Sequence, residues 1–178
     1  MERRHRVFIA INLPQDIKKY LARYYDKYPE LPAKWTAKDN LHITLEFLGY
    51  LTDEEIADVC KETAGVARKH KSFSVNLSKV VYGPPNKTPK FIWVLGKKSK
   101  ELADLKNDLQ RKDEIFTPHI TLARISEWEL RKLDQEEIPE INEDIDLQFS
   151  VESIEVMESE LKRGGPVYSI LESCELNQ

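Results

Sequence analysis

The chain has 178 residues, 40% of them hydrophobic and 33% charged, which is enough apolar side chain for a real core and too little length for several independent modules. A net charge of −4 excludes a protein that grips a long nucleic acid through its phosphates, since such a protein carries a strong positive excess. No apolar run approaches the roughly 18 residues that cross a bilayer. The two cysteines, Cys60 and Cys174, stand far apart with no CxxC, so neither a disulfide framework nor a zinc finger is encoded and reduced thiols are expected.

Residues 6–13 are rich in Val, Ile and Phe and read as a strand, ended by Pro14, which opens a helix to about residue 28. The apolar stretch is short, holds Asn12 and meets Pro14 without a small-residue cleavage site, so it reads as the first strand of a cytoplasmic protein and not as a signal peptide. A strand follows at 41–48, with Gly49 after it. Thr52-x-x-Glu55 forms a capping box for a helix to about 69, in which Ile56, Val59, Cys60 and Thr63 recur at helical spacing. Residues 73–81 alternate as a strand, and the turn-rich Gly83-Pro84-Pro85-Asn86-Lys87-Thr88-Pro89 leads into another at 91–95. Ser99 caps a helix over 99–112 with Leu102, Leu105 and Leu109 as its core stripe. A strand at 117–124, a second capping box Ser126-x-x-Glu129 opening a helix over 126–135, a long alternating strand at 147–157 and a last strand at 167–171 complete the chain.

Strand, helix, strand, helix, strand thus occur twice, about 77 residues apart, which points to duplication of a half-domain. The fold class expected is α+β: two pseudo-symmetric lobes, each a mainly antiparallel sheet with helices on the outside, and an active-site cleft between them. Residues 1–178 are read as a single bilobal domain.

At corresponding places in the two repeats stand His42-Ile43-Thr44-Leu45 and His119-Ile120-Thr121-Leu122. Side chains alternate along a strand, so Ile43, Leu45 and Phe47 face one way and His42 and Thr44 the other; the same parity separates Ile120 and Leu122 from His119 and Thr121. If the lobes face each other about a pseudo-two-fold axis, two imidazoles and two hydroxyls converge. Such a set suits phosphoryl transfer without a metal. One imidazole, with an ordinary pKa near 6.5, serves as base and its mate as acid, while the hydroxyls donate to non-bridging phosphate oxygens. One His-x-Thr on a half-exposed strand is a chance pattern; two at matching places in a repeat are not. Two rival readings stand beside this one. A facial metal set of His42, His119 and Glu46 leaves the paired threonines unexplained and lacks HxH or HxxxH spacing. A non-catalytic module that binds nucleotides or RNA ends would use the histidines only as donors.

Charge is uneven along the chain: residues 127–160 hold 13 Asp/Glu against Arg131 and Lys132, while residues 1–126 hold 23 Lys/Arg against 16 Asp/Glu. A small anionic ligand is drawn to the basic part and a long polyanion meets repulsion elsewhere.

Over nearly its whole length the sequence resembles the 2H phosphoesterases, and within them the LigT-like RNA 2′,3′-cyclic phosphodiesterases, also called 2′-5′ RNA ligases. The resemblance rests on the opening strand from Arg6 to Pro14, on Trp35 and the run Asn40-Leu-His-Ile-Thr-Leu-Glu-Phe-Leu-Gly49, on Phe116-Thr-Pro-His-Ile-Thr-Leu-Ala-Arg124, and on Glu158-Ser-Glu-Leu161 followed by Gly165-Pro-Val-Tyr168. The stretch from Gln110 to Phe116 looks shorter than is usual in the family. The resemblance implies hydrolysis of an RNA-terminal 2′,3′-cyclic phosphate to a 2′-phosphate, with weak reverse joining through a 2′-5′ bond, no cofactor and no metal. The expected partners are RNA ends or nucleotides that bear a cyclic phosphate, with no membrane involved and the chain acting as a monomer. By motif position His42 and His119 are the acid/base pair, with His119 assigned to activate water and His42 to protonate the leaving oxygen, and Thr44 and Thr121 hold the phosphate. Arg124 has the wrong parity for the site on a regular strand, yet it sits at the strand end, where a twist or bulge turns it towards the phosphate; its other reading is a surface ion pair. Glu46 shares parity with His42 and is a candidate to orient it, although it reads more simply as a surface strand carboxylate. Tyr168, Phe47, Trp93 and Tyr82 are candidates to stack on a base, whereas His5 and His70, without a Thr partner, are read as solvated.

Overall fold

The computed structural model describes residues 3–110 and 116–178. Among these residues nine strands form one sheet: β1 His5–Asn12, β2 Ala33–Trp35, β3 His42–Leu51, β4 Phe73–Gly83, β5 Phe91–Gly96, β6 His119–Ile125, β7 Asn142–Val151, β8 Ser153–Lys162 and β9 Gly165–Glu175. Four helices accompany them: α1 Gln15–Ala22, α2 Asp53–Ala67, α3 Lys100–Gln110 and the single turn α4 Glu127–Leu130. The strand order is β7-β4-β5-β6-β3-β1-β8-β9, with the three-residue β2 beside β6, and every pairing between these strands is antiparallel.

The apolar parity of each strand decides which face the helices cover. Ile9 and Ile11 of β1, Ile43 and Leu45 of β3, Ile92 and Val94 of β5, and Ile120 and Leu122 of β6 pack with Ile17 and Leu21 of α1 and with Leu102 and Leu105 of α3 in one core. Burying each such side chain contributes about 1.5–3 kcal/mol. The Thr52 capping box forms as its spacing predicts: the hydroxyl accepts from the Glu55 amide at 3.3 Å and the Glu55 carboxylate accepts from the Thr52 amide at 2.8 Å. On the opposite face Phe8, Ala10 and Met157 make a small second cluster, with Tyr168 against it.

The duplication is visible, with an exchange. The sheet consists of two four-stranded halves, β3-β1-β8-β9 and β6-β5-β4-β7, which meet at one residue pair, Ile43 with Ile120. β4 ends the first repeat in sequence yet pairs with β5 of the second, and β8 ends the second repeat yet pairs with β1 of the first.

Several expected elements change form. The strand read at 147–157 is two strands that part at Glu152, because β7 must lie beside β4 and β8 beside β1 on the other half; a period of two runs through such a break unseen. The helix read over 126–135 stops after α4, since Asp134 starts a cap of its own, its amide donating to the Glu137 carboxylate at 3.0 Å. The helix read to residue 28 becomes α1 and a 3-10 turn, Arg23–Asp26. The last two residues of the 99–112 helix and most of the short stretch at 110–116 lie outside the described residues. Among the described residues no helix is long and apolar enough to cross a membrane.

Candidate active site

Each histidine of the repeated motif is the first residue of its strand, β3 or β6. Because Ile43 and Ile120 pair antiparallel, His42 and Thr44 flank that pair on one strand as Thr121 and His119 do on the other. With the isoleucines fully buried, the four polar side chains take the opposite face, where the two halves meet.

The two imidazoles are held by the same local device. Nδ1 of His42 lies 2.6 Å from the carbonyl of Asn40, and Nδ1 of His119 lies 3.2 Å from the carbonyl of Thr117. A carbonyl only accepts, so each Nδ1 carries the proton and each Nε2 is left for the site. Nε2 of His42 lies 2.9 Å from the Thr44 hydroxyl. Burial pushes His42 below its ordinary imidazole value; the bond to Asn40 opposes that shift, and the charges of Lys18 and His119 add to it.

A bulge follows the motif in both repeats, at matching positions. Thr44 pairs with Ala10 and Glu46 with Ile9, so Leu45 is the extra residue on β3; Thr121 pairs with Trp93 and Ala123 with Ile92, so Leu122 is the extra residue on β6. Each bulge reverses the parity beyond it. Glu46 is thereby turned away from His42, into a groove on the helix side that it lines with Ile9, Leu48 and Val59. This removes the orienting alternative for Glu46, leaves it a carboxylate lining a surface groove, and takes apart the His42, His119, Glu46 metal set. Phe47 turns the other way, to the site face, with its ring 6.3 Å from that of Phe8. On β6 Leu122 and Ala123 are both buried, and Arg124 emerges on the site face with its guanidinium 5.4 Å from the centre of the Phe91 ring. Thr36, just beyond β2, braces this bulge: its amide donates to the Leu122 carbonyl at 2.8 Å and its hydroxyl to the Thr121 carbonyl at 2.9 Å.

Aromatic side chains flank both imidazoles. Tyr168 meets His42 edge-on at 5.3 Å, with Phe8 at 5.1 Å from the same imidazole. Trp93 lies 4.5 Å from His119 and stacks on Phe91 at 5.6 Å. A Cβ on Gly83 would sit 2.3 Å from the Trp93 ring, so only glycine lets that indole lie flat on β4. Burial raises the Tyr168 phenol, with the charges of Arg6 and Arg124 pulling the other way. Tyr82 does not join the site; its hydroxyl donates to the Pro139 carbonyl at 2.8 Å and its ring packs on the core. His5 and His70 are not solvated either. His5 is clamped by Glu158 at 2.5 Å and Asp53 at 3.2 Å, and His70 by Asp108 at 2.8 Å.

The LigT like Phosphoesterase family model matches residues 11–93 and 95–168. The chain belongs to this family. An RNA 2′,3′-cyclic phosphodiesterase of Thermotoga maritima is 26% identical, over 96% of this chain and 95% of that protein, and one of Thermus thermophilus is 30% identical, over 96% and 90%. Among solved structures, TT0787 of Thermus thermophilus superposes with a TM-score of 0.79 at 29% identity, covering 96% of this chain and 97% of that one. E. coli LigT complexed with 3′-AMP superposes with a TM-score of 0.79 at 25% identity, covering 99% and 100%. Around His42 and His119 the structure adds residues that the motifs leave out. Arg6 shares the face of Phe8 and Ala10, a parity already legible in β1. Asn40 and Lys18 stand behind His42, in a short turn and on a helix where no period marks them.

Proposed function

We propose that this chain opens 2′,3′-cyclic phosphates at RNA ends, or on nucleotides, to 2′-phosphates, using His42 and His119 as its acid/base pair and no metal. The observation that carries the reading is the pair of imidazoles held by the same bond to the carbonyl two residues before, which leaves each Nε2 to the site, that of His42 against the Thr44 hydroxyl. The names of the related proteins agree with it. His119 takes a proton from water as the water attacks phosphorus; the bond from phosphorus to O3′ breaks, and His42 gives its proton to O3′. The negative charge of the bound phosphate offsets the burial that disfavours the charged form of His42. Thr44 and Thr121 donate to the non-bridging oxygens, and Arg124 and Tyr168 bound the pocket for the phosphate and ribose. Reversal of the same steps would join ends through a 2′-5′ bond, weakly. One chain supplies both histidines, which supports a monomer as the working unit, and the free thiols of Cys60 and Cys174 fit the cytoplasm.

The test is incubation with an oligoribonucleotide 2′,3′-cyclic phosphate in EDTA, with the product identified by phosphorus NMR. The 2′-phosphate is expected at an undiminished rate. Formation of the 3′-phosphate alone, or inhibition by EDTA that one metal reverses, overturns the mechanism; tight binding without turnover favours the non-catalytic module.

A further inference from the structure

Lys18 is 2% exposed, an unusual place for a side chain that is almost never fully buried without a partner. Its ammonium donates to the backbone carbonyl of Asp39 at 2.7 Å, in the 3-10 turn Lys38–Asn40 that leads into His42. The next carbonyl of that turn, on Asn40, holds Nδ1 of His42, and the Asn40 side-chain amide donates to the Pro166 carbonyl of β9 at 2.7 Å. Lys18, the turn, His42 and the strand that carries Tyr168 are therefore one connected unit. Burial disfavours the charge on Lys18, with the Asp39 carboxylate opposing that effect.

We propose that Lys18 is a positioning residue for His42: by holding the Asp39 carbonyl it fixes the turn whose next carbonyl, on Asn40, sets the imidazole's tautomer, and it places a cation behind the ring that gives its proton to the leaving oxygen. The proposal rests on the reading of His42 as the acid. An acid of lower pKa gives up its proton more readily in the transition state, and the anionic phosphate keeps it protonated until then. The groups facing His42 are Lys18 from α1, the Asn40 carbonyl from the turn, Thr44 on its own strand, Phe8 from β1, His119 from β6 and Tyr168 from β9, with Arg6 and Arg124 beyond the Tyr168 hydroxyl. Of these, Lys18 is the cation tied to the turn behind the imidazole; His119 is the mate across the site, and the others carry no charge or lie beyond Tyr168.

Two variants separate the bond from the charge. Lys18→Gln keeps a donor for the Asp39 carbonyl and removes the charge, whereas Lys18→Arg keeps both. In the full chain without substrate, imidazole NMR titration of Lys18→Gln is expected to show His42 titrating at higher pH, with the Nδ1–H tautomer retained. Lys18→Arg is expected to titrate like the wild type. With a nucleoside 2′,3′-cyclic phosphate, Lys18→Gln should lose about five- to tenfold in kcat with KM within about twofold, as a weakened proton donor would give. An unmoved His42 titration in folded Lys18→Gln, or a Lys18→Arg as impaired as Lys18→Gln, overturns the proposal. If His42 moves as expected yet no variant, nor the wild type, opens a cyclic phosphate, the functional reading fails and the coupling of Lys18 to His42 stands.

Discussion

Imidazole pairs differ from one another in how much of each ring the protein claims, and here the claim is unequal. His42 is enclosed by Phe8 and Tyr168 and backed by Lys18, whereas His119 rests on Trp93 and keeps one bond to the Thr117 carbonyl. Alanine at either position should cost on the order of 10²–10⁴ in turnover while leaving the thermal unfolding transition in place, because both rings lie off the main core. Thr44→Ala and Thr121→Ala should cost less, since one hydroxyl remains for the phosphate. Turnover near the wild-type rate in either histidine variant would remove the paired role. Burial of His42, which disfavours its charged form, bears on the pH dependence of kcat/KM, which reports the free enzyme. Protonation of a group whose pKa is lowered sets in only at more acid pH, so one limb of the bell should fall on the acid side of the ordinary imidazole value of about 6.5. A pH series with a nucleoside cyclic phosphate checks this, and two limbs both above that value would contradict it.

Strand parity explains what the sequence showed and what it hid. The motif positions themselves were legible, because alternation from His42 to Leu45 and from His119 to Leu122 is unbroken and places the two polar pairs on one face. Beyond each motif the matched bulges defeat alternation: Glu46 and Phe47 exchange the faces that a regular strand would give them, and Arg124 reaches the site only because Leu122 is an extra residue. Nothing in the local residue types announces a bulge, which is a property of two strands and not of one. For the same reason the clamping of His5 by Glu158 and Asp53 was out of reach, as it joins β1, β8 and the start of α2 across more than a hundred residues of chain. The contact between β4 and β5 offers a test at this level. Gly83→Ala should push the Trp93 indole off its seat, costing about 1–3 kcal/mol in a urea melt as overpacking does and lowering kcat through the neighbouring His119. An unchanged melt and unchanged rate would show that the ring has room elsewhere.

Across the whole molecule, charge is arranged to admit a small anion and discourage a long one. Arg6, Lys34 and Arg124 sit on the site side, Lys34 opposite Arg124 in the pairing of β2 with β6, while Glu143, Asp144 and Asp146 of the acidic segment lie on β7 at the far edge of the sheet. With three cations in reach, log kcat/KM for a cyclic-phosphate oligonucleotide should fall with log salt at a slope of about −2, close to 0.7 per phosphate neutralised on a single strand. A slope steeper than about −4 would reveal an extended contact surface elsewhere.

Exchange of the third strands reaches back to how such a chain arises. A half-length ancestor that held its third strand outside its own sheet, as both repeats do, would leave that sheet short of a strand and its lone imidazole without a mate. Two copies trading those strands satisfy both needs at once, in the manner of a domain-swapped homodimer with its catalytic centre on the two-fold axis. Copies joined end to end are free to differ, and the two halves do: His42 and His119 have unequal surroundings, and at matched positions one half carries Phe47 and the other Arg124.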